Sequence, residues 1–249
     1  MAPIKLGILV PSSNTNLEPL TFAILSALPN VSVHFSRFPV THIALSKAAL
    51  SQFDDTAILA AAQLLADAKV DAIGWSGTSA GWLGFEADER LCQRIEEKIG
   101  IKATTSVLAL NKLLDISRRT EGDDFRFGLV TPYLHDVQAA ILKNYEDSGY
   151  KITAESHLNK TVNVEFAAVN EDTLDEQMAT VVGQLGSELK VVSTFCTNLR
   201  AAQRAKHWED KYDGLRVFDT TATVVWDMLR MTGVEYNGII KGWGKLFEM

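Results

Sequence analysis

The chain is short of the features that would take it out of the ordinary globular class. It has two cysteines, Cys92 and Cys196. That is too few for a disulfide framework, and they lack C-x-x-C spacing. A reducing cytosol is the simplest setting for such a chain. No stretch approaches the ~18 uninterrupted apolar residues of a membrane span, and the apolar run that ends at Val10 is too short for a signal peptide. Basic charge is also scarce: 24 Lys and Arg stand against 31 Asp and Glu, for a net charge of −7. No Lys/Arg cluster breaks that balance, which argues against nucleic-acid and anionic-membrane partners. The familiar cradles are missing too. There is no G-x-G-x-x-G after the first apolar run, no G-x-x-x-x-G-K-[ST] and no G-x-S-x-G elbow. The five histidines stand alone, without metal-ligand spacing.

What remains is a 249-residue chain, 47% hydrophobic and 22% charged, which excludes disorder. It suits one large α/β domain or two lobes of roughly 120 residues. Strand, turn and helix patterns alternate. Lys5 to Val10, Val31 to Phe38 and Ala72 to Trp75 read as strands. Leu17 to Leu28, Thr56 to Ala68, Ala87 to Ile99 and Thr104 to Asp115 read as helices, the last capped by Thr104 or Thr105.

The pattern then begins again about 120 residues on, as an internal duplication would make it do. Phe127 to Pro132 echoes Leu6 to Pro11, and Val191 to Phe195 with its Cys196-Thr197-Asn198 turn echoes Ala72 to Ser76 with Gly77-Thr78-Ser79. Thr220 to Thr223 echoes Thr104 to Val107. The charged stretch Ser117 to Asp124 is the expected boundary. The expected fold is therefore α/β, with two pseudo-symmetric βαβ lobes, parallel sheets and a cleft between them. Residues 1–117 with 222–249 would form one lobe and 118–221 the other. Parallel sheets bind ligands beyond the carboxyl ends of their strands, so the turns at those ends should line the cleft.

Those turns carry Ser12, Ser13 and Asn14; Gly77, Thr78 and Ser79; Tyr133; and Cys196, Thr197 and Asn198. Their hydroxyls and backbone N–H groups suit a carboxylate, although each Ser, Thr or Asn alone is equally a helix cap. Cys196 is the sharpest candidate, because a helix N-terminus after it would lower the thiol below its reference of about 8.5. Position alone leaves a buried structural cysteine equally open. Cys92 lies beside an apolar helix face and reads as packing. Trp75, Trp82, Leu83 and Phe85 flank the Gly77 turn and could wall a pocket or fill the core. Phe22, Leu25 and Leu28 could face a partner copy, giving a homo-oligomer, or the sheet.

Two motifs carry a resemblance. The run Val10-Pro11-Ser12-Ser13-Asn14-Thr15-Asn16-Leu17-Glu18 resembles the N-terminal signature of maleate cis-trans isomerases. The run Cys196-Thr197-Asn198-Leu199-Arg200 resembles their second cysteine motif. The wider group is the aspartate/glutamate racemase superfamily, and the resemblance implies two pseudo-symmetric lobes, no cofactor and a small carboxylic or dicarboxylic acid as substrate. One departure matters. Racemases and maleate isomerases carry a cysteine on each lobe, whereas this chain has Gly77-Thr78-Ser79 in the first, as arylmalonate decarboxylases do. Asn163 pulls the other way, since Val162-Asn163-Val164-Glu165 resembles a region where the isomerases place a substrate-binding Asn.

A lone thiol can protonate one face of a carbanion but cannot work both faces. The expectation is therefore loss of CO₂ from a malonate-type acid, with Cys196 as acid and the hydroxyls of Thr78, Ser79 and Tyr133 steadying the enediolate. Ser13 and Asn14 would join Thr78 and Ser79 in holding a carboxylate. The alternatives are an isomerase or racemase in which another group, such as Ser76, replaces the first-lobe thiol, and a di-acid-binding protein without catalysis. Gly77→Cys is expected to restore two-sided exchange if space lies open opposite Cys196.

Overall fold

The structure, a computed structural model, describes residues 3–53, 55–122, 125–185 and 190–249. The chain order is β1 (Ile4–Pro11), α1 (Leu17–Leu25), β2 (Val31–Phe38), α2 (Lys47–Leu50), α3 (Asp55–Asp67), β3 (Ala72–Trp75), α4 (Ala80–Leu83), α5 (Phe85–Ile99), β4 (Ala103–Thr105) and α6 (Ser106–Glu121). There follow β5 (Phe127–Thr131), α7 (His135–Asp147), β6 (Ile152–His157), α8 (Asn163–Phe166), α9 (Glu171–Leu185), β7 (Val191–Thr194), α10 (Ala205–Lys211), β8 (Arg216–Asp219) and α11 (Thr220–Met231). The strands form two four-stranded parallel sheets, ordered β2-β1-β3-β4 and β6-β5-β7-β8.

The two sheets repeat one plan. Each has a central pair, β1 and β3 or β5 and β7, from which the chain winds outward in opposite directions. β3, β5 and β7 are buried along their whole length. Their apolar runs lack alternation because helices cover both faces. The edge strands β2 and β6 are only half-buried. Such a plan has a topological switch point between its central strands, where α/β folds form their ligand crevices. The turns after β1, β3, β5 and β7 are the four motif turns of the sequence.

Several elements differ from their sequence-based bounds. Helix α1 stops at Leu25, because Ser26 turns back onto the Ala23 carbonyl. Thr104 lies in the short strand β4, and Thr105 is the cap of α6, its hydroxyl accepting from the Leu108 N–H at 3.0 Å. The counterpart cap of α11 is Asp219, which accepts from Thr221 at 2.8 Å. The Thr104 and Thr220 echo is therefore out of register: the caps Thr105 and Asp219 correspond, so the counterpart of Thr220 is Ser106. Ser117 to Glu121 continue α6 instead of forming a linker, and Asp123 and Asp124 lie outside the described residues. Leu25 and Leu28 are buried, while Phe22 is 56% exposed, its ring 5.3 Å from that of Phe35. Among the described residues no helix is long and apolar enough to cross a membrane.

Helix α11 follows the second sheet but packs against α6 and β3 of the first. Its Asp227 accepts from the Thr104 hydroxyl and from Lys112 Nζ, each at 2.6 Å. The approach to β3 requires Gly74. A Cβ there would sit 2.5 Å from Met228 Sδ and 2.8 Å from Val224 Cγ2. Gly74→Ala should therefore lower the urea unfolding free energy by about 1–3 kcal/mol through overpacking. Equilibrium unfolding with an unchanged m-value checks this.

Candidate active site between the sheets

The turn after β1 starts with a short backbone loop, the Asn14 N–H donating to the Pro11 carbonyl at 2.9 Å. The Asn14 side-chain oxygen then accepts from Asn16 and Leu17 and starts α1. Its amide donates across to the Thr197 hydroxyl at 3.2 Å, and that hydroxyl donates to the Ser76 carbonyl at 3.3 Å. Asn198 is the denser link. Its Oδ1 accepts from the N–H groups of Thr15 and Asn16, its carbonyl accepts from the Asn16 side chain at 2.8 Å, and its Nδ2 donates to the Asn163 carbonyl at 2.6 Å. Asn163 in turn donates to Ser13 Oγ at 2.8 Å. Thr78 and Tyr133 pair hydroxyl to hydroxyl at 2.6 Å across the two sheets. On the outer side, Asn144 of α7 donates to the carbonyls of Ala80 and Gly81.

These bonds border a small cavity between the sheets. Gly77, Thr78, Ser79, Tyr133, Asn163, Cys196 and Thr197 line it, so the folded chain gathers seven of the eleven residues singled out from the sequence; Ser12 lies outside the lining, its hydroxyl accepting from the Val40 N–H. Ser13, Asn14 and Asn198 do not line it. Their polar groups join the two sheets and hold the cavity together. The aromatic wall is Trp75, Trp82 and Phe53, with Trp82 edge-on to Tyr133 at 5.3 Å. Leu83 lines an adjoining cavity, and Phe85 turns away to Tyr145 at 4.9 Å. Val40, Ile43 and Phe53, which also line the cavity, come from the segment after β2. That stretch carries no periodic signal that would single them out. Cys92 is buried in α5, as its place beside the apolar face suggested.

Cys196 is 2% exposed. No helix follows it directly: the chain turns through Thr197 to Ala201 before a short 3-10 turn at Ala202–Arg204. The expected lowering of its pKa is corrected by this. Burial dominates and pushes the thiol up to about 12, although the Tyr133 hydroxyl and the N–H groups of Asn198 and Leu199 act to stabilise the thiolate. The resting sulfur is a neutral S–H. Among the described residues no backbone carbonyl accepts from the N–H groups of Gly77, Thr78 or Ser79, which leaves three donors near the cavity for an anionic ligand. No three His, Cys, Asp or Glu side chains among the described residues gather closely enough to hold a metal ion.

The Gly77 position is not open space. A Cβ there would lie 2.1 Å from Trp75 Cζ2 and 2.4 Å from Cε2. The indole, tilted against Phe38 at 4.9 Å, fills the volume where a first-lobe side chain would stand. This corrects the expectation for Gly77→Cys, in which the thiol must displace Trp75 before it can act. The single variant should unfold about 1–3 kcal/mol more easily than wild type. Adding Trp75→Ala should cost less in the Gly77→Cys background than in wild type. A double-mutant cycle of thermal melts reads that coupling directly.

Two buried carboxyls belong to the same region. Burial raises Asp88, a residue with no prior signal in the sequence, to about 7, and it raises Asp219 to about 6; the Thr105 and Thr194 hydroxyls oppose those shifts only in part. A group that holds its proton more tightly when folded costs stability as that proton leaves. Stability should therefore decline from about pH 4 to pH 7. Asp88→Asn should flatten the decline and, at pH 8, leave the protein more stable than wild type by a few kcal/mol, on the order of the shift. Urea midpoints measured at intervals from pH 4 to pH 8 test both statements.

Comparison with known proteins follows the same geometry. The P. putida S16 maleate isomerase, in a cysteine-to-alanine variant with maleate, superposes with a TM-score of 0.82 at 20% identity, covering 98% of this chain and 97% of that one. A Nocardia farcinica maleate cis-trans isomerase variant, with a covalently bound succinylcysteine intermediate, gives 0.82 at 21% identity, with 98% of each chain covered. A liganded arylmalonate decarboxylase, whose glycine and cysteine are replaced by cysteine and serine, gives 0.81 at 19% identity over 99% of each chain. These likenesses are of fold. No curated protein matches the sequence. The family model of arylmalonate decarboxylase matches residues 6–247, nearly the whole chain, and the protein therefore belongs to the arylmalonate decarboxylase family.

Proposed function

We propose that the protein is a cofactor-independent decarboxylase of malonate-type acids, with Cys196 as the proton donor. The observation that carries this reading is the single neutral thiol, buried in a cavity whose opposite wall is Gly77 covered by the Trp75 indole. In this reading residues 1–117 with 222–249 form one lobe, residues 118–221 form the other, and the substrate lies between them.

One carboxylate rests on Thr78, Ser79 and the neighbouring N–H groups. The other faces the apolar wall. The bond from the α-carbon to that second carboxylate breaks, CO₂ leaves, and its electron pair stays on the α-carbon as an enediolate. Fixed donors steady this charge without reorganising, and removing one such donor typically costs about 2.7–4 kcal/mol. Loss of charge into an apolar surrounding favours departure of the carboxylate on that side. The Cys196 S–H then protonates the α-carbon from one face, and the thiolate recovers its proton from solvent.

A thiol held up to about 12 suits this step, because it arrives carrying the proton it must give. The same property disfavours isomerisation of maleate, which begins with a thiolate attacking the alkene. Asn163 is the feature that keeps the isomerase reading in view, since it lines the cavity and places a side-chain amide there. Ser76 does not line the cavity, and its buried hydroxyl has no partner to activate it.

Proton NMR of substituted malonates in D₂O should show CO₂ loss with one deuterium at the α-carbon of the product. Cys196→Ser should cut kcat by about 10²–10⁴-fold, the usual share of a positioned acid. Tyr133→Phe should lower kcat with little effect on KM. Full activity in Cys196→Ser would overturn the proton assignment, and conversion of maleate to fumarate without decarboxylation would replace the reading with the isomerase one.

A further inference from the structure

A second, small cavity adjoins the first, and Phe53, Trp75 and Ser79 line both. Its remaining lining is Phe38, Ile58, Leu83, Ala87, Leu91 and Asp88. This is an apolar chamber with two aromatic rings besides the shared indole, and with a single carboxyl. Asp88 sits in the first turn of α5 and is 2% exposed. One of its oxygens is engaged by the Thr105 hydroxyl, whose own oxygen accepts from the Leu108 N–H. The other, Oδ2, is buried without a hydrogen-bond partner. A buried carboxyl oxygen left unmatched is costly, and native structures rarely keep one without a use.

We infer that the two cavities form one bipartite site and that Asp88 is the polar end of its outer arm, selecting an acid whose substituent is flat, apolar and tipped with a hydroxyl. The inference deepens the reading of the Cys196 cavity as a carboxylate site and rests on it. The chemistry of the lining chooses the substituent. Phe38, Phe53 and Trp75 favour a ring, which buries area on aromatic faces. A hydroxyl needs only one acceptor, and Oδ2 supplies it whether or not the carboxyl carries a proton. An ammonium would have to lose its hydration among Phe38, Ile58, Leu83 and Leu91 for a single counter-charge, a poor exchange in an apolar chamber. Asp88 is thus a specificity residue. It touches the far end of the substrate and not the reacting carbon.

The test uses non-reacting product acids, so that it does not depend on turnover. Binding of 4-hydroxyphenylacetate and of phenylacetate to the full chain is measured by calorimetry. The hydroxylated acid should bind about tenfold more tightly to wild type, and that ratio should fall to near one in Asp88→Leu. Asp88→Asn keeps an acceptor and should retain part of the preference. Equal affinities in wild type, no binding of either acid, or a preference that survives in Asp88→Leu would each overturn the inference. If Asp88→Leu does not fold, the wild-type and Asp88→Asn ratios still decide. An Asp88-dependent preference without malonate turnover would sink the decarboxylase reading alone. Turnover of malonates without the preference would sink only the assignment of Asp88.

Discussion

The geometry depends on Asn198. Its side chain and backbone together reach Thr15, Asn16 and Asn163, and its N–H points to the Cys196 sulfur. One residue therefore fixes the turn after β7 against the turn after β1 and against the start of α8. Losing its amide would strand the Thr15 N–H at the start of α1 and take a donor from the Asn163 carbonyl, and an unmet buried group costs more than an ordinary hydrogen bond is worth. The Asn14 to Thr197 and Thr78 to Tyr133 pairs add two more cross-links between the sheets. A thiol can be held opposite a chosen glycine only if the two switch points keep a fixed separation, and this set of bonds supplies it.

Enclosure then sets the chemistry. A cysteine after a strand is often read as activated, but activation needs solvent or positive charge to support the anion. Here the cavity that Cys196 lines is lined as well by Trp82, Phe53 and Val40, and the residue is buried. The three donors to it recover only part of the cost of burial, so the proton stays on. The same burial raises Asp88 to about 7 and Asp219 to about 6. All three groups show desolvation outweighing hydrogen bonds.

Much of the fold was legible because its strands are apolar runs of four to eight residues broken by Pro, Gly or Ser, as in β1, β3 and β5. The four turns at the switch points were legible for the same reason, since three of them interrupt such a run with several small polar residues and the fourth, after β5, with Pro132 and Tyr133. Roles within the turns were less so. Asn14 and Asn198 look like ligand-binding amides in sequence, and only the folded chain shows them bonded to backbone groups and, for Asn14, to the Thr197 hydroxyl. The neighbour of a glycine cannot be read either: Trp75 lies two residues before Gly77, and nothing in the sequence says that its ring folds back over that site. Val40, Ile43 and Phe53 were invisible because their segment has no period. Asp88 was hidden because an acidic residue in the first turn of a helix looks like a solvated partner of the helix dipole.

A site with one thiol also has to be closed. In the decarboxylase reading an enediolate persists until it meets a proton, and water admitted to the opposite face would supply one with no preference of side. A glycine alone would leave that face open. The Trp75 indole closes it, and Phe38 backs the indole from the first sheet. Glycine and tryptophan therefore act as a pair. The glycine makes room for the ring, and the ring denies that room both to water and to a second acid. Replacing either alone leaves a clash or a hole. In that reading the pair commits the chain to one-sided proton delivery by shape, before any question of which acid it accepts.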